Sequence, residues 1–203
     1  MGTIDHLIAR VPLLLRYVVA ALLLCGLILA MIYPRAEILR NGQEVRLEIV
    51  PVDPRDLFRG DYVVLDYRIS LVDLPKDAKS EFKRGQKVFV TLRHNENGKA
   101  RAVAISSERP AVSGADIVLQ GTVSAASVCP FNEAGIRDCK SGNRAVQVKY
   151  GLERYFVPQG EGKKIETTEK ARLEIVAAVA ASGQAAIKRL LIDGKPVYDE
   201  PPY

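Results

Sequence analysis

The 203 residues contain no tryptophan, two histidines and three cysteines. Each shortage narrows the available chemistry. His6 and His94 are the only histidines, and Cys25, Cys129 and Cys139 form no CxxC pair. The usual donors for a zinc or iron site are therefore scarce, and no metal or other cofactor is expected. A histidine-activated nucleophile beyond the N-terminus would have to use His94, which adjoins Asn95-Glu96-Asn97-Gly98, a hairpin-turn sequence expected at the surface. No G-x-S-x-G elbow and no phosphate-binding loop is present. Aromatic residues make up only 6%. The 29 lysines and arginines outnumber the 24 acidic residues, for a net charge of +5. They nevertheless form no run longer than a pair such as Lys163-Lys164. A nucleic-acid surface needs a clustered basic stripe with stacking aromatics, so no nucleic-acid partner is expected. Mild basicity suits a chain beside anionic lipid.

One long apolar run is present. Residues 17–33 carry no charge and are mostly Leu, Ile, Val and Ala. As a helix they span roughly 26 Å, and extension back through Arg16 to Val11 gives enough length to cross a bilayer with tilt. Arg16 can snorkel to the headgroups. Pro34 and Arg35 end the run. A cleaved signal would have a shorter apolar region and a small-x-small site. A lipoprotein signal would use Cys25, but Leu24 stands where a small residue is wanted and apolar sequence continues past it. An uncleaved anchor in the lipid bilayer is the preferred reading. Basic residues flank it equally, with Arg10 and Arg16 before and Arg35 and Arg40 after, so the charge rule does not orient it. The short N-terminal tail favours an inside N-terminus and an exported C-terminal part. Gly26 and Ala30 form a small-xxx-small pair suited to packing against another membrane helix.

Cys129 and Cys139 flank nine residues containing Pro130 and Gly135. A disulfide there would close a short loop, worth ~3 kcal/mol by chain entropy, and would fit an oxidising compartment. Two free thiols are the alternative.

Beyond the run, residues 36–43 read as a linker. Val45, Leu47 and Ile49 alternate with polar residues as a half-buried strand does. Further strands are expected at residues 62–67, 88–92, 100–106, 117–123 and 144–157, the last broken in two by Gly151, with Gly, Pro and Asn turns between them. Residues 171–181 have helix-forming Ala, Leu and Glu, yet Leu173, Ile175, Ala177 and Val179 alternate. A β-hairpin turning at Ser182-Gly183-Gln184 is the preferred reading. The fold class is therefore mainly β: one N-terminal transmembrane helix, then a compact sandwich or barrel-like domain with few short helices. The division is residues 1–35 for tail and anchor, 36–43 for linker, and 44–203 for the domain.

The densest local pattern is Pro51-Val52-Asp53-Pro54-Arg55-Asp56-Leu57-Phe58-Arg59-Gly60-Asp61-Tyr62-Val63-Val64-Leu65-Asp66-Tyr67. Asp53-Pro54 starts a turn, Gly60 is a pivot, and the aromatic and β-branched residues that follow suit a strand. Gly60-Asp61-Tyr62-x-x-Leu65-x-Tyr67, its lead-in, and the later block Tyr150-Gly151-Leu152-Glu153-Arg154-Tyr155-Phe156-Val157-Pro158 with Gly160, Gly162 and Glu166 resemble the bacterial GDYXXLXY family over about residues 36–198. Gln159 departs from the acidic residue expected there. The resemblance implies a membrane-anchored bacterial protein of uncharacterised molecular function, accompanying a polytopic integral-membrane protein. It supplies no catalytic residues.

Two readings of the polar cluster follow. Carboxylates among Asp53, Asp56, Asp61, Glu153 and Glu166 could do acid–base work. Alternatively, Arg55 and Arg59 neutralise Asp53, Asp56 and Asp61 and fix a corner of the fold, which is preferred. Tyr62, Tyr67, Tyr155 and Phe156 are read as core or rim aromatics. The expected function is a non-catalytic, single-pass accessory protein of the bacterial inner membrane, its exported domain associating with an integral-membrane partner. The alternatives are a membrane-tethered hydrolase, by a Ser–Lys dyad, and a periplasmic binder of a small ligand or ion.

Overall fold

The computed structural model describes residues 12–50, 62–74, 82–112, 114–129, 144–156, 168 and 172–199. It divides into two compact units, the first ending at Glu37 and the second beginning at Ile38.

The first unit is built on helix α1 (Leu13–Asn41) as far as Glu37, and the last residues of α1 belong to the second unit. At 29 residues it is about 43 Å long. Its most apolar window has a mean hydropathy of 2.5 and buries nothing within the protein, so α1 is long and apolar enough to cross a membrane. Leucines, isoleucines and valines from Leu13 to Ile32 are exposed on all sides, the pattern of a helix whose solvent is lipid.

The apolar run stops at Pro34, but the helix does not. The segment expected to be a linker is instead the last turns of α1 followed directly by strand β1 (Gln43–Val50). The cause is tertiary packing. Ile38 and Leu39, the first residues of the second unit, are buried and form a small cluster with Ala178 and Ala186 of the same unit. The Gly42 N–H then donates to the Ile38 carbonyl at 2.9 Å. A Cβ at Gly42 would stand 2.4 Å from that oxygen and 3.0 Å from Ala178 Cβ, so only glycine fits this joint.

The second unit is mainly β and forms a nearly closed, barrel-like structure. After β1 come β2 (Tyr62–Val64), β3 (Asp66–Tyr67), a 3-10 turn (Arg68–Ser70), β4 (Leu71–Leu74), β5 (Lys87–His94) and β6 (Ala100–Ser106). Then follow β7 (Ile117–Val128), β8 (Arg144–Lys149), β9 (Arg154–Phe156), β10 (Leu173–Val179), β11 (Ala185–Ile192) and β12 (Lys195–Asp199). One sheet runs β12-β11-β10-β1-β3, a second runs β4-β8-β7-β5-β6, and β2 pairs with β9 in a separate ribbon. Among the described residues these strands pair antiparallel, and Arg46 of β1 makes one isolated parallel bridge to Lys99.

The alternation legible in β1 holds: Val45, Leu47 and Ile49 point into the core. From Leu173 on, the ambiguous segment forms the expected hairpin of β10 and β11. Leu173, Ile175, Ala177 and Val179 face inward, which alanine-rich helix propensity does not override. The turn after β10 reaches across to the other sheet, where the Gln120 N–H donates to the Gly183 carbonyl at 2.7 Å. Val88, Val90 and Leu92 of β5, Leu119 and Val123 of β7, and Val146 and Val148 of β8 complete one continuous core. The Asn95–Gly98 sequence forms the β5–β6 turn, with Asn95 Oδ1 accepting from the Lys99 N–H at 2.8 Å.

Candidate functional site

The two sequence blocks that stood out converge in space. Strand β2 carries the first block and β9 the second, paired as Tyr62↔Phe156, Val63↔Tyr155 and Val64↔Arg154. The ladder extends one step, because the Leu65 N–H donates to the Glu153 carbonyl at 2.9 Å. Leu65, Tyr67 and Leu152 are all buried to within 3%.

Side chains then lock the blocks reciprocally. The Tyr67 hydroxyl donates to the Leu152 carbonyl at 2.6 Å. The Tyr150 hydroxyl donates to the Ile69 carbonyl, also at 2.6 Å. The first block thus sends a phenol into the backbone of the second, and the second sends one into the 3-10 turn that directly follows the first. Burial is the main reason both phenols titrate above the ordinary tyrosine value, and the nearby Glu153 charge adds to it. They stay protonated donors at neutral pH rather than nucleophiles or bases.

The turn between Tyr150 and Glu153 explains how the second block presents itself. Gly151 sits at φ +79, a left-handed conformation that a side chain would strain. Glu153 reaches back, one carboxylate oxygen accepting from the Tyr150 N–H at 2.6 Å and the other from the Gly151 N–H at 3.0 Å. Both oxygens are thereby engaged by backbone donors. Glu153 is a turn-forming residue in this arrangement, not an open general base. Tyr155 is a core residue, 2% exposed.

Asp53, Arg55, Asp56, Arg59, Gly60, Asp61 and Glu166 lie outside the described residues, and so does the arginine–aspartate network expected there. Tyr62 is placed by its backbone pairing alone. Cys129 follows β7 and Cys139 lies outside the described residues, while Cys25 is an exposed free thiol on α1. Gly26 and Ala30 sit on the exposed surface of α1, and a Cβ at Gly26 would meet nothing within 4 Å. Among the described residues, no group of three or more His, Cys, Asp or Glu gathers as a metal site.

Sequence reasoning singled out the block that holds Tyr150 and Leu152 but missed their roles as partners, and it missed Ile69 altogether. The signal for Tyr150 and Leu152 was the second block itself, a tyrosine, a glycine and a glutamate within four residues, but nothing in it named Tyr67 as its counterpart.

A family profile described as GDYXXLXY protein matches residues 24–190, from within α1 through most of β11. No curated protein matches the chain, and no solved structure does.

Proposed function

The chain belongs to the GDYXXLXY family, and from that premise we propose that it is a single-pass accessory protein of the bacterial inner membrane. In this reading α1 is an uncleaved anchor with its N-terminus inside. The β domain is extracytoplasmic and works by association with a polytopic integral-membrane partner rather than by catalysis.

The observation that carries the reading is the disposition of the family's own signature. Leu65 and Tyr67 close the core against Leu152 and Glu153, the Leu65 N–H and the Tyr67 hydroxyl both donating to backbone carbonyls. Such residues build a platform. The helix supports the rest: its apolar surface is exposed on every side, and the Gly26–Ala30 face is open to the close approach of another membrane helix. A Cys129–Cys139 bridge belongs to this reading, because an exported domain meets oxidising conditions.

Affinity purification from bacterial membranes in a mild detergent, followed by mass spectrometry, tests the proposal. The expected result is repeated recovery of one polytopic membrane protein, reduced when Gly26 and Ala30 are both changed to Ile. Recovery of the chain alone, with or without cross-linking, contradicts it.

A further inference from the structure

In the β domain Arg68, Arg93, Lys99, Arg172 and Lys188 are each answered by a carboxylate within ion-pair distance. A row across the β4-β8-β7-β5-β6 sheet is not. Lys87 of β5 stands opposite Thr122 of β7, and Thr122 stands opposite Lys149 of β8. Directly opposed residues share a face of the pleat, so the three side chains project together. All three are exposed. Val88, Val123 and Val148, the next residue along or before on each strand, are core residues, which sets the row on the outer face. Two strand spacings put the lysine Cα atoms about 10 Å apart. Lys83 and Arg84, also exposed, lie at the same end of the sheet. The turn that holds them leads into β5, where the Gly85 N–H donates to the Val123 carbonyl at 2.8 Å and the Val123 N–H to the Gln86 carbonyl at 2.9 Å. Among the described residues no carboxylate pairs with Lys83, Arg84, Lys87 or Lys149. Glu153, just past Lys149, has both oxygens on the Tyr150 and Gly151 N–H groups.

We propose that the Lys87–Thr122–Lys149 face docks an acidic polypeptide segment, with Lys83 and Arg84 adding charge at its end. The inference deepens the accessory reading above and rests on it, the segment belonging to the partner protein. Charge complementarity selects the occupant. The row offers two ammonium groups with a hydroxyl between them, all donors. An ammonium is a point charge that takes a carboxylate from any direction, without the two-pronged geometry by which arginine matches phosphate. The row carries no aromatic ring to stack a base. Alternate residues of an extended segment place carboxylates about 7 Å apart on one side. That spacing is within reach of two flexible lysine stems, and Thr122 donates to a carboxylate lying between them.

Fluorescence anisotropy of the full-length chain in mild detergent, with a labelled peptide of alternating Glu and Ser, tests the proposal. The wild type is expected to bind this peptide and not its Gln-Ser counterpart. K87Q/K149Q should weaken binding about fivefold, since two exposed charge pairs are lost. R101Q/K195Q, an equal loss of charge elsewhere on the domain, should change it by less than about twofold. K87E/K149E should bind a Lys-Ser peptide more tightly than the wild type does. No binding by the wild type, or equal weakening by the two Gln double variants, overturns the proposal. So does tighter binding of a single-stranded oligonucleotide of equal charge, or full displacement of the peptide by inorganic phosphate at constant ionic strength. Recovery from membranes separates this site from the reading it rests on. A polytopic partner recovered equally by the wild type and K87Q/K149Q removes the site and keeps the accessory reading, whereas no partner at all removes that reading.

Discussion

Replacing Tyr67 with Phe removes one oxygen and leaves the buried Leu152 carbonyl without its donor. Leaving a buried acceptor unmet costs about 1–3 kcal/mol. Tyr150→Phe does the same to the Ile69 carbonyl. Both losses should appear as a lower midpoint of urea unfolding with an unchanged slope. The phenols also set a pH dependence. In the unfolded chain they ionise near pH 10, whereas in the folded chain burial holds both well above that. Above pH 10 the unfolded state has released protons that the folded state keeps, so stability falls as pH rises. The slope reaches about 1.4 kcal/mol per pH unit for each tyrosine. Below pH 10 neither contributes a slope. Urea titrations between pH 9 and 11.5 should show the decline in the wild type and a shallower one in each Phe variant. Gly151→Ala, forced to keep a left-handed backbone, is expected to cost roughly 1–2 kcal/mol. A neutral effect of all three changes would mean that the interlock does not hold the fold.

Among the elements, α1 and the β10–β11 hairpin show where sequence is informative and where it is not. The alternation of Val45, Leu47 and Ile49 made β1 legible, because inward and outward residues must alternate on a pleated strand. The same logic resolved Leu173–Val179 against its helix propensity. The end of α1 was not legible. Pro34 closes the apolar run, but Ile38 and Leu39 keep the helix going by packing on Ala178 and Ala186, residues far along the chain. Nothing near residue 38 announces those partners. Leu39, 3% exposed, carries much of this joint. Leu39→Ala should destabilise the β domain by about 2–5 kcal/mol in thermal or urea unfolding. Membrane insertion, read by resistance to alkaline extraction, should be unaffected because residues 17–33 are untouched.

At the scale of the whole molecule, the sequence foretold a helix followed by a barrel-like β domain, and the strand order was beyond its reach. Gln43 pairs with Val179 and Leu71 with Gln147, and such long-range registers are set by the closing of one core rather than by local pattern. The candidate site was half legible: both blocks were singled out, yet their joining depends on a phenol and a carbonyl 85 residues apart. The proposed export of the domain predicts the state of the three cysteines. In the denatured, unreduced protein a maleimide probe should label Cys25 alone, and after reduction it should label all three. Three labels before reduction would place the domain in a reducing compartment.

The two blocks form one closing contact of the core. Native-state amide hydrogen exchange of the full-length protein in detergent tests it most directly, at the Leu65, Tyr150 and Gly151 N–H groups that Glu153 engages. The prediction is that these three amides exchange only through global unfolding, with the same protection free energy as Val90 and Leu119 in the central strands. Exchange of all three by local opening, orders of magnitude faster than Val90 and Leu119, would contradict it.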